Sequence, residues 1–268
     1  MNNKALLAWL HEAGVDEAIG DTPINRLAPP AAPVLLVENQ LVAASAPAIN
    51  TPPPLAKASP APAIAASSAR SIADRCHSLD ELRQAVMAFD GCALKKTASK
   101  TVFADGNPSA KIMLIGEAPG AQEDLQGIPF CGPSGALLDK MLASIGLSRE
   151  TVYITNTVFW RPPGNRQPSK EETAICLPLV EKHIALIAPQ LIILSGGTAT
   201  STLLSQDTSI SRLRGRFYAY TNGYLAAEVP VAVTYHPSYL LRTPAQKKSA
   251  WADLLMIKKR LEEAITSS

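Results

Sequence analysis

The sequence predicts an α/β layered domain around a central, mostly parallel four-stranded sheet, and three observations carry that expectation. Four short apolar runs, at 111–115, 152–159, 190–194 and 231–235, have the length and near-continuous aliphatic character of strands buried on both faces. Helix-period patterns at 134–145, 169–187, 198–205 and about 244–264 alternate with them. Strands separated by helices of this size are joined by crossovers, and crossovers give parallel pairing.

The elements follow in chain order. Residues 1–20 are expected to hold a short amphipathic helix, because Leu6, Leu7, Trp9, Leu10, Ala13 and Val15 fall near helical spacing. Residues 21–70 read as a flexible Pro/Ala-rich linker: nine prolines lie between Pro29 and Pro62, and such a composition buries too little surface to order itself. The domain proper is expected over 71–268. Its first helix is announced by Ser78-Leu79-Asp80-Glu81, a capping box ahead of Leu82, Val86 and Met87.

Bulk properties narrow the function. The 268 residues are 47% hydrophobic but only 5% aromatic, which implies an aliphatic core. A formal charge of +2 excludes a whole-surface basic field, so any nucleic-acid site has to be a local patch. No apolar stretch approaches the ~18–20 residues of a membrane span, and the first residues lack a signal-peptide layout. A cytoplasmic protein, not membrane-associated, is expected. Cys76, Cys92, Cys131 and Cys176 form no Cys-x-x-Cys pair and read as buried free thiols.

The chemistry-bearing residues gather where strands end, which is where ligands bind in parallel sheets. The first apolar run stops at Gly116-Glu117-Ala118-Pro119-Gly120, a turn whose glycines admit a planar ligand and whose Glu117 sets a carboxylate at the rim. An ordinary strand-ending turn has the same composition. Asn156 closes the second run, and its amide offers both donor and acceptor to the edge of a pyrimidine. The stiff loop 160–168 carries Arg161 and Arg166; it reads equally as a rigid connector capped by Ser169. Ser195-Gly196-Gly197-Thr198 opens a helix after the third run, a natural phosphate seat. The fourth run ends in His236-Pro237-Ser238-Tyr239-Leu240-Leu241-Arg242, which combines an imidazole, a hydroxyl, apolar wedges and a cation.

Taken together, these motifs resemble the uracil-DNA glycosylases, specifically the family-4 bacterial and archaeal type. The resemblance covers about residues 89–256 and is carried by Val102-Phe103-Ala104-Asp105-Gly106-Asn107, Gly116-Glu117-Ala118-Pro119-Gly120 and Glu123-Asp124, together with Pro129-Phe130, Gly132 and Leu137-Leu138-Asp139. Further along it rests on Tyr153-Ile154-Thr155-Asn156, Arg161-Pro162-Pro163-Gly164-Asn165-Arg166 and His236-Pro237-Ser238. It implies a three-layer α/β/α fold and hydrolytic excision of flipped-out uracil from single- or double-stranded DNA, the first step of base-excision repair. It implies that Phe130 stacks on uracil, Asn156 bonds its N3–O4 edge and His236 donates to O2. Glu117 then assists the attacking water or stabilises the cationic sugar. Gly116, Ala118, Gly120, Glu123 and Asp124 complete the base pocket, with Glu123 crowding the methyl group of thymine. Ser134, Ser195, Ser238, Tyr239, Arg161, Arg166 and Arg242 are implied DNA contacts, and Leu240 or Leu241 the side chain that fills the vacated stack.

One departure concerns the cofactor. Members of this family commonly hold a four-iron cluster on four cysteines, and only Cys92 and Cys176 fall at those positions; Phe89 and Trp160 stand at the other two. Two thiolates are too few for such a site, so no metal or other cofactor is expected. Two rival functions make distinct demands on the sequence. A covalently DNA-crosslinking relative would need a His in an extra basic loop, and Pro162–Gln167 contains none. A non-catalytic nucleic-acid-binding module would lack Glu117, Asn156 or His236, and all three are present. The enzyme is expected to act as a monomer. Leu6, Trp9 and Leu10 suit docking into a partner protein as well as they suit an inconsequential appendage.

Overall fold

A computed structural model of the chain describes residues 62–266. The expected helix at 1–20 and most of the expected linker therefore lie outside the described residues. The linker's last stretch does not: residues 62–70 belong to a helix, α1 (Pro62–Arg75), which corrects the boundary at 71. Proline at the first helical position is tolerated because its missing N–H has no intrahelical partner there. Ala65, Ala69 and Ala73 fall four residues apart and are fully buried, and their small side chains let the helix approach its neighbour closely.

The remaining helices are α2 (Leu79–Ala88), α3 (Ala121–Gln126), α4 (Pro133–Ala143), α5 (Lys170–Ile187), α6 (Gly197–Leu204), α7 (Ile210–Leu213), α8 (Pro237–Arg242) and α9 (Lys247–Thr266). The expected capping box of α2 is half formed: the Glu81 amide donates to Ser78 Oγ at 3.2 Å, but the Glu81 carboxylate accepts from the His77 amide, at 2.6 Å, and not from that of Ser78. Arg70 on α1 meets Glu181 on α5 at 2.5 Å, tying α1 to the domain. Among the described residues no helix is long and apolar enough to cross a membrane.

The strands are β1 (Asp105–Gly106), β2 (Ile112–Gly116), β3 (Val152–Asn156), β4 (Leu191–Ser195), β5 (Phe217–Tyr220) and β6 (Val229–Thr234). They form one sheet in the order β1-β3-β2-β4-β6-β5. The four expected strands are its parallel centre. The expected count of four is corrected to six, because β1 and β5 add a short antiparallel strand at each edge.

Strand periodicity divides the core into two layers. Met113, Ile115, Tyr153, Ile192, Leu194, Val231 and Val233 pack on one side with residues of α1, α2, α5 and α6. Ile112, Leu114, Val152, Ile154, Leu191, Ile193 and Ala232 pack on the other with residues of α4, α8 and α9. This is the three-layer α/β/α arrangement that the resemblance implies. The chain leaves β2 to form β3 on one flank and crosses back through α5 to form β4 on the other. The order thus reverses at β2, and a crevice opens at the carboxyl ends of β2, β3, β4 and β6.

In the first layer Cys92 and Cys176 are both fully buried and hydrogen-bonded to each other. Beside them Phe89 and Trp160 are buried with ring centroids 6.4 Å apart, and the Trp160 indole N–H donates to Thr101 Oγ1 at 3.0 Å. Burying a Phe contributes about 1.5–3 kcal/mol. Among the described residues no group of three or more His, Cys, Asp and Glu is placed to hold a metal ion. Two thiols and two aromatic rings do not fit a four-iron cluster.

Candidate active site

The crevice contains a cavity of about 800 Å³. Glu117, Ala118, Gly120, Glu123, Phe130, Ser134 and Asn156 line it from the β2 and β3 side, and His236, Ser238, Tyr239 and Arg242 from the β6 side. The carboxylate, amide and imidazole therefore share one space beside Phe130. Each comes from the end of a different strand or the loop just beyond it.

Asn156 ends β3 and is 2% exposed, yet its Oδ1 has no hydrogen-bond partner. His236 is the N-cap of α8 and its Nε2 is likewise buried and unpartnered. Buried polar atoms without partners are rare and point to a ligand or water that supplies the bond. The His236 tautomer follows from its other nitrogen. Nδ1 accepts from the Ser238 backbone N–H at 3.2 Å and lies 2.8 Å from Ser238 Oγ. An N–H only donates, so Nδ1 bears the lone pair and Nε2 the proton. Burial, assisted by Arg242, pushes the imidazole down to about 4, and the ring is neutral at ordinary pH.

Phe130 sits at φ 53°, unusual for a non-glycine residue, and its ring lies 5.3 Å from the His236 ring at an interplanar angle of 28°. Arg149 holds this conformation by donating to the Phe130 carbonyl and, at 3.2 Å, to that of Pro129. Arg149 is fixed in turn by Asp105 at 2.5 Å and Asp139 at 2.8 Å. Gly116 is buried behind the cavity; a Cβ there would lie 2.5 Å from both Asn156 Oδ1 and the Phe130 ring. It has to be glycine for those two groups to converge.

The Glu117 carboxylate accepts from Thr198 Oγ1 at 2.5 Å, and its backbone carbonyl accepts from Thr157 Oγ1 at 2.6 Å. Burial pushes its pKa above the ordinary carboxylate value, opposed by the Thr198 hydrogen bond and by Arg242. Glu123 is a staple between two loops: one oxygen accepts from the Gly120 amide at 3.1 Å and the other from the Gly132 amide at 3.0 Å.

Several sequence expectations are corrected here. Asp124 does not line the cavity: it is 3% exposed, accepts from the Ser99 and Lys100 amides at 2.8 and 3.2 Å, and braces the chain before β1. Ser195 is 1% exposed, its Oγ without a hydrogen-bond partner among the described residues, and does not line the cavity; Gly196 and Gly197 line it in its place. Leu240 is core in the second layer, whereas Leu241 is 43% exposed, so only Leu241 is free to wedge. Arg161 does not line the cavity and bonds Asn165 Oδ1 at 2.6 Å. Arg166 does line it, held by a two-pronged pair with Glu172 at 2.8 and 2.7 Å. Arg149 is new to the site, and Thr198, expected only as part of a phosphate seat, turns instead to the Glu117 carboxylate. Thr198 had a signal, a hydroxyl two residues into a glycine-started helix. Arg149 had none, since its partners are distant in sequence.

The family model of the uracil DNA glycosylase superfamily matches residues 103–255, the segment that builds the sheet and the cavity. The type-4 uracil-DNA glycosylase of Archaeoglobus fulgidus is 39% identical over 184 residues, covering 67% of this chain and 92% of that protein. That of Saccharolobus solfataricus is 40% identical over 189 residues, covering 68% and 86%. A type-5 uracil-DNA glycosylase of Thermus thermophilus is 36% identical over a shorter 96 residues, 31% of this chain and 43% of that protein. With a match over more than half its length, and with its strand-end residues converging on one cavity, the chain belongs to the uracil DNA glycosylase superfamily.

Proposed function

We propose that this enzyme hydrolyses the N1–C1′ bond of uracil flipped out of DNA, releasing uracil and leaving an abasic site. The observation that carries the reading is the pair of buried, unpartnered atoms, Asn156 Oδ1 and His236 Nε2–H, beside the Phe130 ring. Uracil offers a matching set: N3–H donates to Asn156 Oδ1, and O2 accepts from His236. Cytosine carries a lone pair at N3 and would leave the Asn156 oxygen facing another acceptor, a cost that favours uracil.

Flipping requires unpairing and unstacking, at a few kcal/mol. Leu241 fills the gap left behind, with Ser134, Ser238, Tyr239, Arg166 and Arg242 meeting the DNA around it. The N1–C1′ bonding pair then leaves with the base, whose growing charge at O2 is met by His236. Water adds to C1′, and its proton passes to Glu117, whose raised pKa suits a general base.

The test is a labelled oligonucleotide with one uracil, followed by alkali cleavage. Scission at uracil alone is expected; intact strands would refute the reading. Leu241→Ala is expected to lower excision about tenfold from duplex and little from single strands, since only the duplex has a stack to refill.

The reading includes no cluster, supported by the two-thiol, two-ring packing around Cys92. Protein purified anaerobically is expected to carry no stoichiometric iron and no absorbance band at about 400 nm; finding both would reverse this.

A further inference from the structure

Thr198 lies far along the chain from the Glu117 turn, yet among the described residues it makes the one side-chain hydrogen bond to the Glu117 carboxylate. It is the second residue of α6, 81 positions along the chain, and its hydroxyl donates to Glu117 Oε2 at 2.5 Å. Among the described residues no hydrogen bond reaches Oε1 of the same carboxylate. The local chain explains how the hydroxyl gets there. Gly196 leaves β4 at φ 103°, and a Cβ at that residue would meet His236 Cβ at 3.1 Å. The glycine lets the start of α6 come close to the His236 backbone, which sets Thr198 across the mouth of β2. The β-branched side chain then holds its hydroxyl in few rotamers.

We propose that Thr198 is a positioning residue for base excision: it tethers one oxygen of Glu117 so that the other is presented to the attacking water. The inference rests on the reading of Glu117 as the group that takes the water's proton. A free glutamate explores many rotamers, and a carboxylate tethered at one oxygen keeps its plane and its reach. The tether also favours the ionised form that a base requires.

The other titratable groups lining the cavity are Glu123 on α3, Arg166 in the loop before α5, Tyr235 and His236 after β6, and Tyr239 and Arg242 on α8. Of these, Arg242 acts on Glu117 in the same sense as Thr198, favouring its charge. Removing the hydroxyl leaves burial less opposed, so the acid limb of the rate profile has to move to higher pH.

The experiment measures single-turnover uracil release against pH, with DNA affinity measured separately, for wild type, Thr198→Val, Thr198→Ser, Glu117→Gln and Glu117→Gln/Thr198→Val. Thr198→Val is expected to lower the plateau rate ~10-fold, the scale of a lost hydrogen bond to a charged group. It is expected to displace the acid limb upward and to leave affinity unchanged. Thr198→Ser should restore both rate and limb. In the Glu117→Gln background the valine should change nothing further, because both substitutions remove one function. Wild-type behaviour of Thr198→Val, failure of serine to rescue, or an added loss in the double variant would overturn the proposal. Glu117→Gln with full activity would instead defeat the reading of Glu117 on which it stands.

Discussion

His236→Ala is expected to slow single-turnover uracil release by ~10²–10³, the usual consequence of removing one preorganised donor to a developing oxyanion. The structure supplies the reason in two parts. First, the donor is fixed before substrate arrives: Ser238 N–H engages Nδ1, which leaves the proton on Nε2 inside the cavity. No reorientation is needed as charge builds on the base. Second, the imidazole is neutral. Burial has pushed it down to about 4, so a cation forms only as the pH falls toward that value. A neutral donor stabilises uracil anion by hydrogen bonding without handing over a proton. The wild-type rate is therefore expected to show no inflection at the ordinary histidine value near 6.5. An inflection that vanishes in His236→Ala, or a variant within tenfold of wild type, would contradict this assignment. Affinity for uracil-containing DNA should fall far less than the rate, because the bond strengthens as the base departs.

How much of this was legible in the sequence depended on whether the causes were local. The four central strands were, because a strand buried on both faces is an uninterrupted apolar run, and successive residues such as Ile112 and Met113 enter opposite layers as period two demands. The edge strands were not: Asp105–Gly106 is two polar or small residues long, and Phe217–Tyr220, with only its last residue buried, is a run of four, too short to stand out as a strand. Helix α1 was hidden by its own composition. Alanine and serine beside prolines read as linker, and only the neighbouring α5 turns Ala65, Ala69 and Ala73 into a packed face.

The site divides in the same way. Glu117, Asn156 and His236 were legible because strand ends in a parallel sheet project to one crevice. Direction within a helix or turn was not. Glu123 and Asp124 are adjacent carboxylates, and one reaches the cavity loops while the other braces the opposite side. Leu240 and Leu241 are adjacent on α8, and about 100° of helical rotation sends one to the core and the other to solvent. Residues that act through the backbone of distant segments, as Arg149 does on Phe130, leave no mark in a single sequence.

That last dependence underlies the second large effect. Gly135→Ala is expected to destabilise the protein by about 3 kcal/mol, at the upper end of overpacking, and to cut excision ~10²-fold. Gly135 is the third residue of α4, and the chain just before this helix folds back over it. A Cβ there would lie 1.5 Å from the Phe130 carbonyl oxygen and 2.3 Å from its carbonyl carbon. Both are backbone atoms, so no rotamer change relieves the overlap; either α4 or the Phe130 segment has to move by more than an ångström. The Phe130 segment is the weaker party. Its residue already sits at positive φ, and it is held by Arg149, whose guanidinium also serves Asp105 and Asp139. Helix α4 is anchored by Leu138, Met141 and Leu142 in the second core layer. The displacement therefore falls on Phe130 and carries its ring away from Asn156 and His236, so stability and activity fall together. Gly223→Ala is the control, since a Cβ at that position meets nothing within 4 Å. Thermal unfolding and single-turnover excision measured on the two variants decide the matter: a Gly135→Ala protein that melts and cuts like Gly223→Ala would mean that Phe130 is not held against α4 as described.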